Sequence, residues 1–300
     1  FYTYAGVVKA LDGVDLDVFR NETLGIVGET GCGKSVTALS VLRIVPSPPG
    51  RIVGGQILFN GEDLLLKTDA EMQEIRGHKI AMVFQDPMTF LNPVMRIGDQ
   101  IAEPIMLHQK LEDDYVQFKA YQLKEKLKKK KIKGGSAAKV EEEIRKVKKR
   151  SEKKIPEGDL KKVALKKSIE VLKLVRMPYA EEVIKNYPHE LSGGMRQRAM
   201  IAMALSCKPE IFIADEATTA LDVTIQAQIL TLMNELKKEA GTTNIIITHD
   251  MGIVAETCDR AAVMYAGVVV ELAPVTDLFE HKLHPYTQGL FAAIPTLHGQ

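Results

Sequence analysis

Four short apolar runs, Leu24 to Val27, Lys79 to Phe84, Ile211 to Ala214 and Asn244 to Thr248, stand between stretches of helix-like sequence. Runs of this length read as buried strands, and their separation by helices of ordinary length predicts a mostly parallel sheet with right-handed crossovers, covered on both faces. The residues up to Val18 and the segment Ile52 to Asn60, which ends on the turn-like Asn60-Gly61, predict a small antiparallel β-subdomain beside that sheet. From Asp99 to Pro188 no strand stands out, which marks a helical subdomain. The expected class is α/β, and 300 residues with 45% hydrophobic content suffice for its core. The sequence shows no internal repeat.

The first apolar run leads into Gly28-Glu29-Thr30-Gly31-Cys32-Gly33-Lys34-Ser35, with the helix-like Val36 to Arg43 behind it. A G-x-x-x-x-G-K-S run between strand and helix is a phosphate cradle. Gly28, Gly31 and Gly33 let backbone N–H groups curl around an anion, and the helix start, from Cys32 to Val36, adds free donors and the positive end of its dipole. Lys34 then reaches the β- and γ-phosphates, and Ser35 places its hydroxyl on Mg²⁺. A Gly-rich turn that merely caps a helix needs neither Lys nor Ser at those positions. The third run ends on Asp215-Glu216, so a buried strand delivers two acids to the crevice where α/β sheets bind ligands. Asp215 would hold Mg²⁺, directly or through water, and Glu216 would polarise the water that attacks a γ-phosphate. A further motif, Leu191-Ser192-Gly193-Gly194-Met195-Arg196-Gln197-Arg198, sets Ser192, Gly193 and Gly194 at the opening of the helix-like Met195 to Leu205, another anion-binding helix start. The chain thus has one γ-phosphate pocket but two anion sites.

Charge changes the picture in one place. The net charge of +1 conceals a block from Lys119 to Lys167 with 20 Lys and Arg against 7 Asp and Glu. Sparse in apolar residues, the block reads as solvent-exposed helix pieces joined by a flexible turn at Gly134-Gly135-Ser136. Contact of its lysines with anionic lipid headgroups is a second reading. Nucleic acid is disfavoured, because aromatic residues hardly interleave with the lysines. No apolar run approaches the roughly 20 residues needed to cross a bilayer, and there is no signal-peptide pattern. Cys32, Cys207 and Cys258 lie far apart without metal-ligand spacing, which argues against a disulfide framework or zinc site and for a reducing compartment. The first residue is Phe1 rather than Met, so a longer gene product is expected.

In order, and along nearly the whole chain, these motifs resemble those of the nucleotide-binding subunits of ABC transporters. Leu-Ser-Gly-Gly followed by Gln-Arg is the most specific of them, since phosphate loops occur in many nucleotide hydrolases. The resemblance implies a P-loop NTPase of ABC type that binds ATP and Mg²⁺. It implies that Gln85, in Phe84-Gln85-Asp86-Pro87, reaches Mg²⁺ and the attacking water. Asp222, in Ala220-Leu221-Asp222, falls in the D-loop, and His249, in Thr248-His249-Asp250, contacts the γ-phosphate. Tyr4 is the candidate aromatic stacked on adenine, with Tyr2 and Phe1 close by. A second ATPase subunit, identical or homologous, is implied in a head-to-tail dimer, the signature of one subunit closing on ATP held by the phosphate loop of the other. Two membrane permease subunits and, indirectly, a solute-binding receptor complete the implied assembly on the cytoplasmic face of the membrane, with no nucleic acid expected. A soluble ABC-type ATPase of DNA repair or translation is the alternative; such proteins carry a very long coiled coil or two cassettes in one chain.

On this reading residues 1–98 hold the β-subdomain and the first part of the nucleotide-binding core, and 99–188 the helical subdomain with its basic insertion at about 119–167. Residues 189–270 hold the signature helix and the second part of the core, and 271–300 a C-terminal segment. Met88 to Pro93, and above all His284-Pro285-Tyr286-Thr287 followed by Leu290 and Ala293-Ile294-Pro295, resemble the ATPases of dipeptide and oligopeptide importers. That branch includes importers of nickel and oligosaccharides, so the cargo stays open among these. Ala217 stands where the branch has Pro, and Phe90 replaces a small polar residue; neither touches the chemistry. A cysteine-rich tail able to hold an iron–sulfur cluster often follows in this branch; the chain reaches Gln300 before any such cysteines, so no cluster is expected in it. Cys32, beside Lys34 and a helix start, is either a thiol whose alkylation would block nucleotide entry or a position that accepts any small residue.

Overall fold

The computed structural model describes residues 1–3, 6–84, 90–129, 142, 144–148, 155–216 and 223–293. The chain divides into two compact units, residues 1–90 with 208–300, and residues 91–207. Among the described residues the first unit holds β1 (Tyr2–Thr3), β2 (Gly6–Val7), β3 (Thr23–Val27), β4 (Leu58–Phe59), β5 (Glu62–Asp63), β6 (Ile80–Val83), β7 (Ile211–Asp215), β8 (Thr243–Thr248), β9 (Arg260–Tyr265) and β10 (Val268–Pro274).

Six of these strands form one sheet in the order β10-β9-β3-β8-β7-β6, parallel throughout except for the antiparallel edge strand β10. The four apolar runs of the sequence are β3, β6, β7 and β8. β3 and β8 are buried along their whole length, as strands covered on both faces must be. Successive side chains serve opposite layers. Ile26 packs with Ala38 of the helix Lys34–Val41, with Leu42 at its C-cap, and with Ile213, Ile245 and Ile247. Val27 packs with Met251 and Val254 of the helix Met251–Thr257 and with Val275 and Leu278. Each such burial contributes roughly 1.5–3 kcal/mol.

Two sheet strands are additions to the sequence reading. β9 and β10 turn on Ala266 and Gly267, both at positive φ (47° and 83°), the backbone of a type I′ hairpin. Ala261 and Ala262, which follow Arg260 in β9, have low strand propensity, yet both are fully buried beside β3. The expected antiparallel subdomain is narrower than its sequence segments: β1 pairs with β2, and β4 with β5, as two separate hairpins. Asn60 and Gly61 make the β4–β5 turn with φ of 51° and 84°.

The second unit is helical among its described residues, with helices Ile97–His108, Glu112–Lys129, Glu157–Leu174, Ala180–Val183 and Gly193–Leu205. Its core includes Ile101, Ile105, Ala164, Leu172, Ile201 and Ala202. Several cations of the basic block pair with acids of this unit: Lys119 and Lys162 with Asp159, Lys161 with Asp99, and Lys167 with Asp114. Residues 130–141, 143 and 149–154 of that block, with its Gly134-Gly135-Ser136 turn, lie outside the described residues.

Candidate functional site

The parallel register assembles the site. Val27 lies opposite Thr248 across β3 and β8, and Ile247 lies opposite Asp215 across β8 and β7. The next residues, Gly28, His249 and Glu216, therefore leave the C-terminal edge of three adjacent strands side by side.

Behind β3 the loop from Gly28 closes on Lys34, which is only 5% exposed. Its Nζ donates to the carbonyls of Gly28 at 2.7 Å and Glu29 at 2.9 Å and lies 3.8 Å from Cys32 Sγ. Two glycines are sterically required. Gly28 has φ 149°, and a Cβ there would lie 2.3 Å from the Met264 carbonyl oxygen; Gly33 has φ 105°, with the Ala10 carbonyl oxygen and Leu11 Cδ2 each 2.7 Å from a Cβ. Gly31 and Cys32 complete the loop, and Ser35 and Val36 follow Lys34 in the first turn of the helix.

Ser35 Oγ donates to Asp215 Oδ1 at 3.0 Å. Burial holds the Asp215 carboxyl above its ordinary range; the Ser35 hydrogen bond opposes this, the Glu216 charge adds to it, and the Lys34 ammonium pulls it back. Two hard oxygen donors in contact, one a buried carboxylate, suit a hard divalent cation such as Mg²⁺.

Glu216 follows β7 in left-handed backbone, φ 46°, a conformation that costs about 1–2 kcal/mol for a residue with a Cβ. Its N–H donates to the Ile247 carbonyl at 2.9 Å, so the ladder to β8 continues one residue past the strand. Glu216 Oε1 lies 3.5 Å from His249 Nδ1, with the glutamate side chain 14% and the histidine 54% exposed. His249 sits on a short turn: the Asp250 N–H donates to Thr248 Oγ1 at 3.0 Å, and Asp250 Oδ1 accepts from the N–H groups of Gly252 and Ile253, capping the next helix. A carboxylate oriented beside an imidazole at the mouth of a phosphate loop can orient and deprotonate a water.

In the second unit Ser192 caps the helix Gly193–Leu205, its Oγ accepting from the Met195 N–H. Ser192 and Gly193 are exposed and Gly194 is half-buried, whereas Gln197 and Arg198 are buried. Arg198 Nη1 donates to the carbonyls of Val175 at 2.7 Å and Arg176 at 3.1 Å, tying the motif to the end of the helix Glu157–Leu174. The motif therefore divides into an exposed helix start and a buried anchor, the second of which the sequence reading did not assign. Tyr4, Gln85 and Asp222 lie outside the described residues.

One contact of the phosphate loop comes from far along the chain: Tyr286 Oη accepts the Glu29 N–H at 3.0 Å. The His-Pro-Tyr-Thr run was visible in the sequence, but nothing in its spacing points to Glu29.

A family profile described as "ABC transporter" matches residues 11–219, and one described as "Oligopeptide/dipeptide transporter, C-terminal region" matches residues 270–300. The chain is 48% identical over 295 residues to a probable peptide ABC transporter ATP-binding protein of Sinorhizobium fredii, covering 98% of this chain and 74% of that one. It is 44% identical over 297 residues to the oligopeptide transport ATP-binding protein OppD of Bacillus subtilis, covering 99% of this chain and 70% of that one. Among solved structures it is similar in fold to the dimeric bacterial ABC transporter cassette MJ0796, with a TM-score of 0.66 at 23% identity over 92% of this chain and 94% of that one. A post-hydrolysis state of that cassette bound to ADP and Pi matches with a TM-score of 0.65 at 23% identity, over the same shares of the two chains. The chain therefore belongs to the ABC transporter family, in the branch of the oligopeptide and dipeptide transporter ATP-binding proteins.

Proposed function

We propose that this chain is the ATP-hydrolysing subunit of a peptide importer, working as one of two ATPase subunits beneath two membrane permease subunits on the cytoplasmic face of the membrane. A solute-binding receptor acts with it indirectly. The observation that carries this reading is the convergence of Lys34, the Ser35–Asp215 pair and the Glu216–His249 pair at the ends of three neighbouring strands.

ATP lies along the phosphate loop, with the N–H groups from Gly31 to Val36 on its phosphates and Tyr4 against the adenine. Lys34 leaves the loop carbonyls for the β- and γ-phosphates. Ser35 and Asp215, with Gln85, would hold Mg²⁺, which would offset phosphate charge when bound. Glu216 takes the proton of the attacking water, and His249 stabilises the charge that develops on the γ-phosphate. Ser192, Gly193 and Gly194 of a second subunit close on the same nucleotide, with Asp222 at the junction, so that hydrolysis removes the contacts that favour closure.

Gel filtration of the wild type and Glu216→Gln with and without Mg-ATP, followed by phosphate release, tests this. The variant is expected to bind ATP, lose hydrolysis and dimerise with nucleotide. Binding without dimerisation would require a different ATPase partner, and absence of ATP binding would defeat the reading. Uptake of labelled peptides into cells that carry the variant, compared with nickel and oligosaccharide uptake, assigns the cargo.

A further inference from the structure

We propose that Tyr286 is a positioning residue for the phosphate loop, acting through the peptide unit that joins Gly28 to Glu29. The inference rests on the ATP-binding reading and adds a part to it.

The carbonyl and the N–H of this one peptide unit are held from opposite ends of the chain. Gly28 O accepts from Lys34 Nζ at 2.7 Å, and the Glu29 N–H donates to Tyr286 Oη at 3.0 Å. The unit needs such restraint, because Gly28 occupies a backbone region that glycine alone enters easily and from which it can rotate at little cost. When a phosphate draws the Lys34 ammonium away from the loop carbonyls, the Tyr286 hydroxyl keeps the peptide plane in place. The loop is then presented to the anion already shaped, and binding loses less free energy to ordering.

The surroundings of Tyr286 are built to hold that hydroxyl. Its ring packs at a tilt on Tyr265, 4.6 Å between centroids, at the end of β9 next to Met264, whose carbonyl faces Gly28. Tyr286 stands in the first turn of the helix Pro285–Ala292, and its own N–H donates to His284 Nδ1 at 3.1 Å. The N–H groups of Leu283 and His284 donate to the two carboxylate oxygens of Glu271 in β10, at 2.9 and 3.0 Å. The His-Pro-Tyr run is thus a capped and anchored seat for one acceptor aimed at the phosphate loop, a role that the hydrolytic chemistry itself leaves unassigned.

Tyr286→Phe keeps the ring and removes the acceptor, and Tyr265→Phe serves as the control that removes the neighbouring hydroxyl. Both are compared with the wild type by MANT-ATP titration, by the KM and kcat of phosphate release, and by thermal melting. Tyr286→Phe is expected to bind MANT-ATP about five- to twentyfold more weakly with a matching rise in KM, a kcat within about twofold and a melting temperature within about 2 °C. Tyr265→Phe should match the wild type. Unchanged nucleotide affinity in Tyr286→Phe overturns the proposal, as does a loss of affinity that both variants share in proportion to lost thermal stability. A wild-type chain that fails to bind MANT-ATP overturns the ATP reading itself and the inference with it, an outcome distinct from the other two.

Discussion

Glu216 Oε1 and His249 Nδ1 stand 3.5 Å apart although 33 positions of sequence separate their residue numbers. The two residues follow the last residues of neighbouring parallel strands, and the register of β7 on β8 brings them together. A one-residue slip would turn every buried side chain of β7 to the wrong face, so the core itself protects the geometry of the pair.

His249→Ala removes the imidazole from a half-exposed turn whose backbone is held by Asp250. Nucleotide binding should persist, and phosphate release should fall on the order of 100-fold. A titration with MANT-ATP beside a phosphate-release assay checks this. An unchanged rate would take His249 out of the chemistry.

Asp215 links stability to pH. Burial raises its folded-state pKa, so above the ordinary value of 3.8 the folded chain binds more protons than the unfolded chain, and the contribution of Asp215 to stability falls as pH rises through the raised value. Asp215→Asn relieves that cost and retains an acceptor for Ser35. In Mg²⁺-free buffer at pH 7 the variant should melt about 2–4 °C above the wild type and lose hydrolysis. A lower melting temperature would mean that the carboxylate stabilises the fold.

Gly28→Ala places a Cβ 2.3 Å from the Met264 carbonyl oxygen, a contact with backbone that cannot swing away. Urea unfolding should show a loss of about 3 kcal/mol or more, together with loss of ATP binding. Gly31→Ala meets no atom within 4 Å and carries only the positive-φ cost of about 1–2 kcal/mol. Equal effects of the two changes would contradict the close packing of β9 on the loop.

Among the three cysteines, burial pushes Cys258 up to about 12 and also raises the Cys207 thiol, so neither offers much thiolate near neutral pH. Cys32 is buried in the loop with its sulfur 3.8 Å from Lys34 Nζ. Maleimide should modify Cys32 slowly, and Mg-ATP should protect it, as peptide mass spectrometry would report. Labelled chain that still binds ATP would show that this position simply accepts a small residue.

Much of the fold was legible because strands buried on both faces carry consecutive apolar residues, as Ile211 to Ala214 of β7 and Ile245 to Ile247 of β8 do. β9 escaped because its two alanines are chosen for close packing rather than for strand propensity. The phosphate loop was legible for a related reason: backbone that wraps an anion at positive φ needs glycine, and the pattern of glycines with Lys34 and Ser35 is rare. In the sequence Arg198 is one more residue of a motif; the fold sets its guanidinium on the carbonyls of Val175 and Arg176.

The sequence by itself determined much of the local chemistry: four strands of the buried sheet, where glycine must shape a loop, where Ser192 opens a helix, and which acids and histidine stand at strand ends. Tertiary structure alone decided which of these meet. Strand register set Glu216 beside His249, and packing within the second unit put the signature helix among residues 91–207. Packing of the C-terminal helix brought Tyr286 to Glu29, across 257 residues. The physical reason is that local conformation follows from the preferences of adjacent residues, whereas a hydrogen bond between distant ones depends on how whole elements pack and leaves no periodicity in the chain.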